Sequence, residues 1–263
     1  MITASVSRFQ IQNLLYTPQM SSPRLKNFHH QIVDAIGNSI VAGEFAEGSQ
    51  LPTEDQLAQT YGASRLSIRE AMKSLAAKGL VSIRPRTGTH VQAREKWNLF
   101  DPAVLSWYGN LPTDRKLLED LMELRQAIEP VAARLAAARA HAEDIDAIGT
   151  AFLNMQKANS KRSYIEADLA FHAAVIKASG NQFMFQLGTA LSAVWETSFQ
   201  VSSGDWGPDA QALALHRALL ESITEQKPAA AEKAVLALIR RAASRIDQAI
   251  GHLPAQIRKD GRR

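Results

Sequence analysis

Between Pro52 and Val91 the chain is punctuated so closely by helix starts, helix stops and turn residues that few folds can accommodate it. Pro52-Thr53-Glu54 opens a helix carrying Leu57, Ala58 and Tyr61, and Gly62 breaks it. Ser64 caps a further helix with Ile68, Ala71, Met72 and Leu75 on one face, and Gly79 ends that one. "LVSIRP" and "GTHVQA" follow as two β-prone runs around an Arg-Thr-Gly turn, the pattern of a hairpin. Upstream, residues 25–42 set Leu25, Phe28, Ile32, Ile36 and Ile40 at helical spacing with Val33 beside them. Three helices with a tight turn between the second and third, then a hairpin, make a winged helix-turn-helix.

The charge distribution points to the partner of such a unit. The formal net charge is only +4, but Ser64 to Arg94 holds seven basic residues against the single acid Glu70, whereas the chain from Glu95 onward balances twenty basic against twenty acidic residues. Basicity confined to one short segment is the footprint of a polyanion-binding surface. The third helix turns Ser64, Arg65, Ser67, Arg69 and Lys73 outward. The first residues of a recognition helix reach base edges in the major groove while flanking ones hold phosphates, and an arginine fork matches guanine O6 and N7. Arg65 and Arg69 are therefore expected to read bases or phosphates, with Ser64 and Ser67 on the backbone. The tip formed by Arg84, Arg86, Thr87, Gly88 and Thr89 suits the minor groove, where glycine permits close approach. Charge alone would fit an ordinary basic surface equally well; the ordered set of turn, cap, paired arginines and hairpin favours a reader of double-stranded DNA.

Beyond residue 97 strand signals fade and helical periodicity recurs over 101–110, 114–139, 143–158, 162–179, 181–201, 208–225 and 228–250. Short connections between such segments predict an all-helical antiparallel bundle, so the fold class is mainly α: a winged helix-turn-helix followed by a helical domain. Pro130 should kink the second of these segments or divide it in two. The expected divisions are a mobile leader over 1–23, the winged helix-turn-helix over 24–94, a linker with its own helix over 95–113, the helical domain over 114–252, and a frayed tail over 253–263.

Within "EADLAFHAAV", Asp168 and His172 lie one turn apart on an apolar helix and project to one side. His216 sits among Leu213, Leu215, Leu219 and Leu220, placed to enter the same interior from a facing helix. A carboxylate and two imidazoles suit Zn²⁺, Mn²⁺ or Ni²⁺ with open positions, and they equally suit a hydrogen-bonded polar cluster.

The stretch from Gly43 to Val91, with its G-x-x-x-x-G-x-x-L-P-x-E, S-R-x-x-I-R-E-A, G-L and G-T-x-V elements, resembles the DNA-binding domain of the GntR family of bacterial transcription regulators. Asp55 departs from that pattern, since relatives carry a DNA-touching arginine there. "LMELRQAIEPVAARLAA", "ADLAFHAAVIKASGN" and "LHRALLESI" resemble the FCD effector domain of the FadR subfamily. That resemblance implies a divalent metal on Asp168, His172 and His216, with a small carboxylate effector beside it. Leu238 stands where the subfamily usually has its last histidine, so the implied site is incomplete. The resemblance also implies that Arg125 reaches the effector carboxylate, with an intramolecular salt bridge to Glu129 as the plain alternative, and Trp195 and Trp206 are candidate pocket walls. "EKWNLFDPAVLSWYGN" is similar to members associated with sugar acids, which directs the effector expectation to that class.

The sequence is thus read as a cytoplasmic, homodimeric, ligand-responsive repressor of a sugar-acid operon, bound to a palindromic operator and needing no organic cofactor. Two other readings are a metal-dependent enzyme on the two histidines and one carboxylate, and a DNA binder without a sensor. The absence of cysteine excludes thiolate metal sites, cysteine nucleophiles and disulfides. No secretory signal and no run apolar enough to span a membrane is present.

Overall fold

A computed structural model describes residues 28–109, 115–202 and 210–251. The expected leader, Leu25, Trp206 and the expected tail lie outside the described residues. The fold is mainly α, as the periodicity predicts, with a two-stranded sheet in the N-terminal unit.

Helix α1 (Phe28–Val41) buries Ile32, Val33, Ile36 and Ile40. Helix α2 (Glu54–Tyr61) starts with a reciprocal cap: Thr53 Oγ1 accepts from the Gln56 N–H at 3.3 Å, and the Gln56 side chain accepts from the Thr53 N–H at 2.9 Å. Gly62, at φ 61°, ends it in the left-handed region where glycine is unstrained. Helix α3 (Arg65–Ala77) follows at once, its first turn capped by Ser64 Oγ accepting from Ser67 N–H at 3.1 Å. Gly79 is required where it stands, because a Cβ there would lie 2.1 Å from the Lys96 carbonyl oxygen.

Strands β1 (Val81–Arg84) and β2 (Gly88–Val91) pair antiparallel, Val81 opposite Val91 and Arg84 opposite Gly88. A connection the sequence does not announce joins them: the stretch from Gly48 to Leu51 lies along the other side of β2, with Leu51 N–H donating to Thr89 O at 2.8 Å and Val91 N–H to Ser49 O at 2.9 Å. This ties the wing to the start of the helix-turn-helix.

The segment expected as a linker is built into both halves. Helix α4 (Pro102–Gly109) lays Trp107 flat on Gly37 of α1, where a Cβ would come within 2.4 Å of the ring, and Trp107 Nε1 donates to Asp34 Oδ1 at 3.2 Å. Trp97, Val104, Trp107 and Tyr108 thereby join the N-terminal core, whereas Leu105 joins the core of the helical domain. Asp101 anchors the junction, accepting from Lys78 Nζ at 2.8 Å and from the Ala103 N–H at 2.9 Å.

The helical domain comprises α5 (Arg115–Arg139), α6 (Ala142–Lys157), α7 (Lys161–Ala178), α8 (Gln182–Ser202), α9 (Ala210–Thr224) and α10 (Pro228–Gly251). Helix α5 lies along α10 and against α7, α6 packs on α7, and α4 rests on α8. Pro130 does not divide α5, one of the two outcomes expected of it, the other being a kink. It removes one backbone donor, but it is buried within a single helix whose neighbours on both sides hold it in register. Among the described residues no helix is long and apolar enough to cross a membrane.

Candidate functional sites

The first site is the exposed side of α2 and α3. Arg65 Nε is ion-paired with Asp55 Oδ1 from the first turn of α2. Arg69 grips Glu54 with two nitrogens, Nη2 to Oε2 at 2.9 Å and Nε to Oε1 at 3.3 Å. Lys73 Nζ donates to Glu70 Oε1 at 2.9 Å. The three cations of α3 expected to face DNA are therefore each matched with an acid of the same unit. Ser64 and Ser67 are occupied with each other at 2.9 Å and with the helix cap, so their hydroxyls chiefly fix the start of α3. Arg84 and Arg86 stand exposed on the wing. Arg86 sits at φ 66°, a left-handed turn position unusual for a side chain of this size. Gly88 at φ 84° closes the turn against Gln50, and Thr89 is half-buried. Sequence reasoning passed over Leu66, which is 66% exposed beside Arg65. Its signal was available: it falls off the Ile68–Met72–Leu75 face, so it must point outward.

The second site lies inside the helical bundle. Asp168 and His172 from α7, His216 from α9, and Arg125 and Glu129 from α5 are all buried. His216 Nε2 lies 3.0 Å from Asp168 Oδ1, and His172 Nε2 lies 3.4 Å from the same oxygen. The other nitrogen of each ring is held from behind: His216 Nδ1 donates to the Ala212 carbonyl at 2.8 Å, and His172 Nδ1 is 2.8 Å from Glu129 Oε2. Each imidazole thus has its Nδ1 facing an oxygen and its Nε2 turned to Asp168, the arrangement in which outer partners orient a metal-ligating histidine. One ligand atom from each of Asp168, His172 and His216 falls within 4.8 Å of the others, so the set fits a small divalent cation. Leu238 is buried in the apolar core and adds no donor.

Burial pushes the Glu129 carboxyl up, but Arg125 and His172 outweigh it and hold the group at about 2. Burial likewise raises Asp168, and His216 and His172 bring it well below the usual carboxylate range. For His172 burial favours the neutral ring, yet Glu129 and Asp168 lift it to about 9. Two carboxylates dominate this interior, and it holds positive charge tightly.

Glu129 is the member that sequence reasoning undervalued, having considered it only as a partner for Arg125. The salt bridge exists, Arg125 Nε to Glu129 Oε1 at 2.5 Å, and the second oxygen of Glu129 bridges onward to His172. An Arg–Glu pair one turn apart on the buried side of α5 was the sequence signal for it. Arg125 also stacks over Phe199, its Cζ 4.5 Å from the ring centroid, and Trp195 lies one turn before Phe199 on α8. Among the described residues, buried Arg125 Nη1 and buried Trp195 Nε1 have no hydrogen-bond acceptor.

A winged helix-turn-helix carrying a helical domain with a buried polar site is the build of a transcription regulator. Residues 28–91 match the profile of the bacterial regulatory proteins of the gntR family, and residues 120–241 match the FCD domain. The galactonate operon transcriptional repressor of Escherichia coli strain K12 is 35% identical over 83% of this chain and 96% of its own length. The HTH-type regulator YieP of the same organism is 33% identical over 82% of this chain and 94% of its own. The solved structure of Lar, which controls the expression of the Listeria monocytogenes agr system, agrees in fold with a TM-score of 0.59 at 17% identity, covering 86% of this chain and 99% of that one. The chain belongs to the GntR family, with an FCD domain behind its DNA-binding unit.

Proposed function

We propose that this regulator represses a carbohydrate operon and leaves its operator when a small sugar acid binds the FCD domain. The observation that carries this reading is the buried Arg125 guanidinium, whose Nη1 has no acceptor and whose partner Glu129 reaches His172 of the Asp168, His172 and His216 cluster; buried Trp195 Nε1 is likewise unpaired. Burying a donor unpaired costs about 1 to 3 kcal/mol, so such groups are kept where a ligand oxygen completes them.

Charge supports the same class. With a divalent ion on Asp168, His172 and His216 and both rings neutral, the two carboxylates, the guanidinium and the metal sum to one positive charge, which one effector carboxylate neutralises. A divalent ion held by Asp168, His172 and His216 would supply open positions for oxygen ligands of the effector. Arg125 orients the carboxylate, Glu129 keeps Arg125 and His172 in place, and Phe199 and Trp195 keep water out. The similarity to a galactonate operon repressor supports an aldonate or related acid.

On the DNA side, a homodimer presents two copies of α3 to two half-sites of a palindrome. Arg65, Arg69 and Lys73 serve the major groove, and Arg84, Arg86, Gly88 and Thr89 the wing contact. The working units are 24–94 for DNA and 114–252 for effector, joined by 95–113, in a protein acting in the cytoplasm. Substituting Arg65 or Arg69 with alanine should weaken operator binding by about 1 to 3 kcal/mol each.

Thermal unfolding of the full chain with sugar acids such as D-galactonate, with and without chelator, tests the sensor. An effector at about 100 times its Kd adds roughly 2.7 kcal/mol of stability. A shift abolished by chelator and by Asp168→Ala supports the metal-linked site. A shift indifferent to chelator supports a metal-free pocket on the same residues, and no shift with any acid sinks the effector class.

A further inference from the structure

Arg65 and Arg69 both leave the exposed side of α3 and both meet a carboxylate from the first turn of α2, but they offer it different atoms. Glu54 takes Nε and Nη2 of Arg69 together, one whole edge of the guanidinium. Asp55 takes Nε of Arg65. The far end of Arg65, Nη1 and Nη2, makes no hydrogen bond among the described residues, and the side chain is 71% exposed. Two parallel N–H groups at the end of a guanidinium are the complement of guanine O6 and N7 in the major groove. Nε, the atom Asp55 occupies, is the one that end-on reading does not need. Arg69 would have to break its bond to Glu54 through Nη2 to do the same.

We infer that Asp55 is a positioning residue that sets base specificity: it turns Arg65 end-on toward one guanine of each half-site and leaves Arg69 to a single phosphate contact. The inference rests on the proposal that α3 enters the major groove, and it assigns unequal roles to two arginines that look equivalent in sequence. Asp55 also discourages indiscriminate binding. Its charge cancels that of Arg65 for any phosphate approaching nearby, so the pair adds little to the non-specific attraction that Lys and Arg otherwise supply. Where a guanine meets Arg65, contact is made through Nη1 and Nη2 and the carboxylate stays bonded at Nε. Leu66, exposed alongside, offers the same groove an apolar contact.

The test uses full-length protein and a duplex enriched by it from a random-sequence pool. Each half-site guanine is replaced in turn by 7-deazaguanine, which lacks the N7 acceptor, and a scrambled duplex of equal length serves as the non-specific reference. Binding is followed by fluorescence anisotropy for the wild type, Asp55→Ala, Asp55→Glu and Arg65→Ala. The wild type should lose about tenfold in affinity at one guanine position, and Arg65→Ala should no longer distinguish the two bases there. Asp55→Ala should retain Arg65 yet cut that discrimination to about twofold, while binding the scrambled duplex several-fold more tightly. Asp55→Glu should recover part of the discrimination. If Asp55→Ala discriminates at every guanine as the wild type does, Asp55 does not position Arg65, and the recognition-helix reading survives. If Arg65→Ala binds the enriched duplex as tightly as the wild type, or no duplex is enriched, that reading fails as well. Because the pair is exposed, all variants should unfold at the wild-type temperature, which separates specificity from folding.

Discussion

Two arginine–carboxylate pairs of the same chemistry stand at opposite extremes of this molecule. The Arg65 and Asp55 side chains are 71% and 53% exposed, and those of Arg125 and Glu129 are 2% each. In water the first pair gains little, since screening and side-chain entropy nearly cancel the attraction. It can therefore be removed at little cost in stability. The second pair has been taken out of water, and its attraction has to offset several kcal/mol of lost hydration per ion. Such a pair is a weak fastener for the hydration it gives up. The same two residue types thus make a solvated contact in one domain and a desolvated one in the other, with burial as the deciding variable.

The comparison breaks first, and by the largest amount, at Glu129. Glu129→Ala leaves the Arg125 guanidinium buried without its partner and should cost about 3 to 5 kcal/mol. For a domain of this size that lowers Tm by roughly 10 °C. Replacing both members, Arg125→Met with Glu129→Leu, should cost less than the single change, because the uncompensated guanidinium goes with it. A double variant less stable than Glu129→Ala would mean that the pair is a net fastener after all.

Between the extremes lies Lys78–Asp101, at 21% and 20% exposure. Asp101 also accepts the Ala103 and Val104 N–H groups at the start of α4, so Asp101→Ala loses a cap and a salt bridge together, about 1 to 2 kcal/mol. Burial raises the Asp101 pKa, and Lys78 with those two amides more than reverses it, leaving the group below its ordinary value of 3.8. A depressed carboxylate contributes stability that is present above the unfolded value and is lost as pH falls through the folded one. Wild-type protein should therefore shed this increment below about pH 4, and Asp101→Ala should shed less over the same range in an acid titration. The smallest effect on stability belongs to Asp55→Ala, whose Tm should match the wild type even though its choice of DNA changes. A lowered Tm there would show that the exposed pair is structural.

Much of this gradient was legible in one dimension. The winged unit is written in local chemistry: Thr53 and Ser64 begin helices by capping their own amides, and Gly62 and Gly79 end them by adopting φ that other residues avoid. Each of those instructions acts over three or four residues, so no distant partner is needed to read it. The spacing of Asp168 and His172, and the leucines around His216, likewise put all three inside the bundle on periodicity alone.

What the tertiary structure alone decided are the pairings. Nothing local says that Glu129 reaches His172 on α7, that Arg65 meets Asp55 while Arg69 meets Glu54, that residues 48–51 lie along β2, or that Trp107 closes on Gly37. Pro130 makes the same point from the other side: the local rule allows a kink or a break, and packing on both flanks keeps α5 a single helix. Periodicity determines which side of a helix is turned inward. The rotation, height and distance of the neighbour that side meets follow from how two whole surfaces interlock, and a shift of one helical turn, about 5.4 Å, would pair every one of these groups differently.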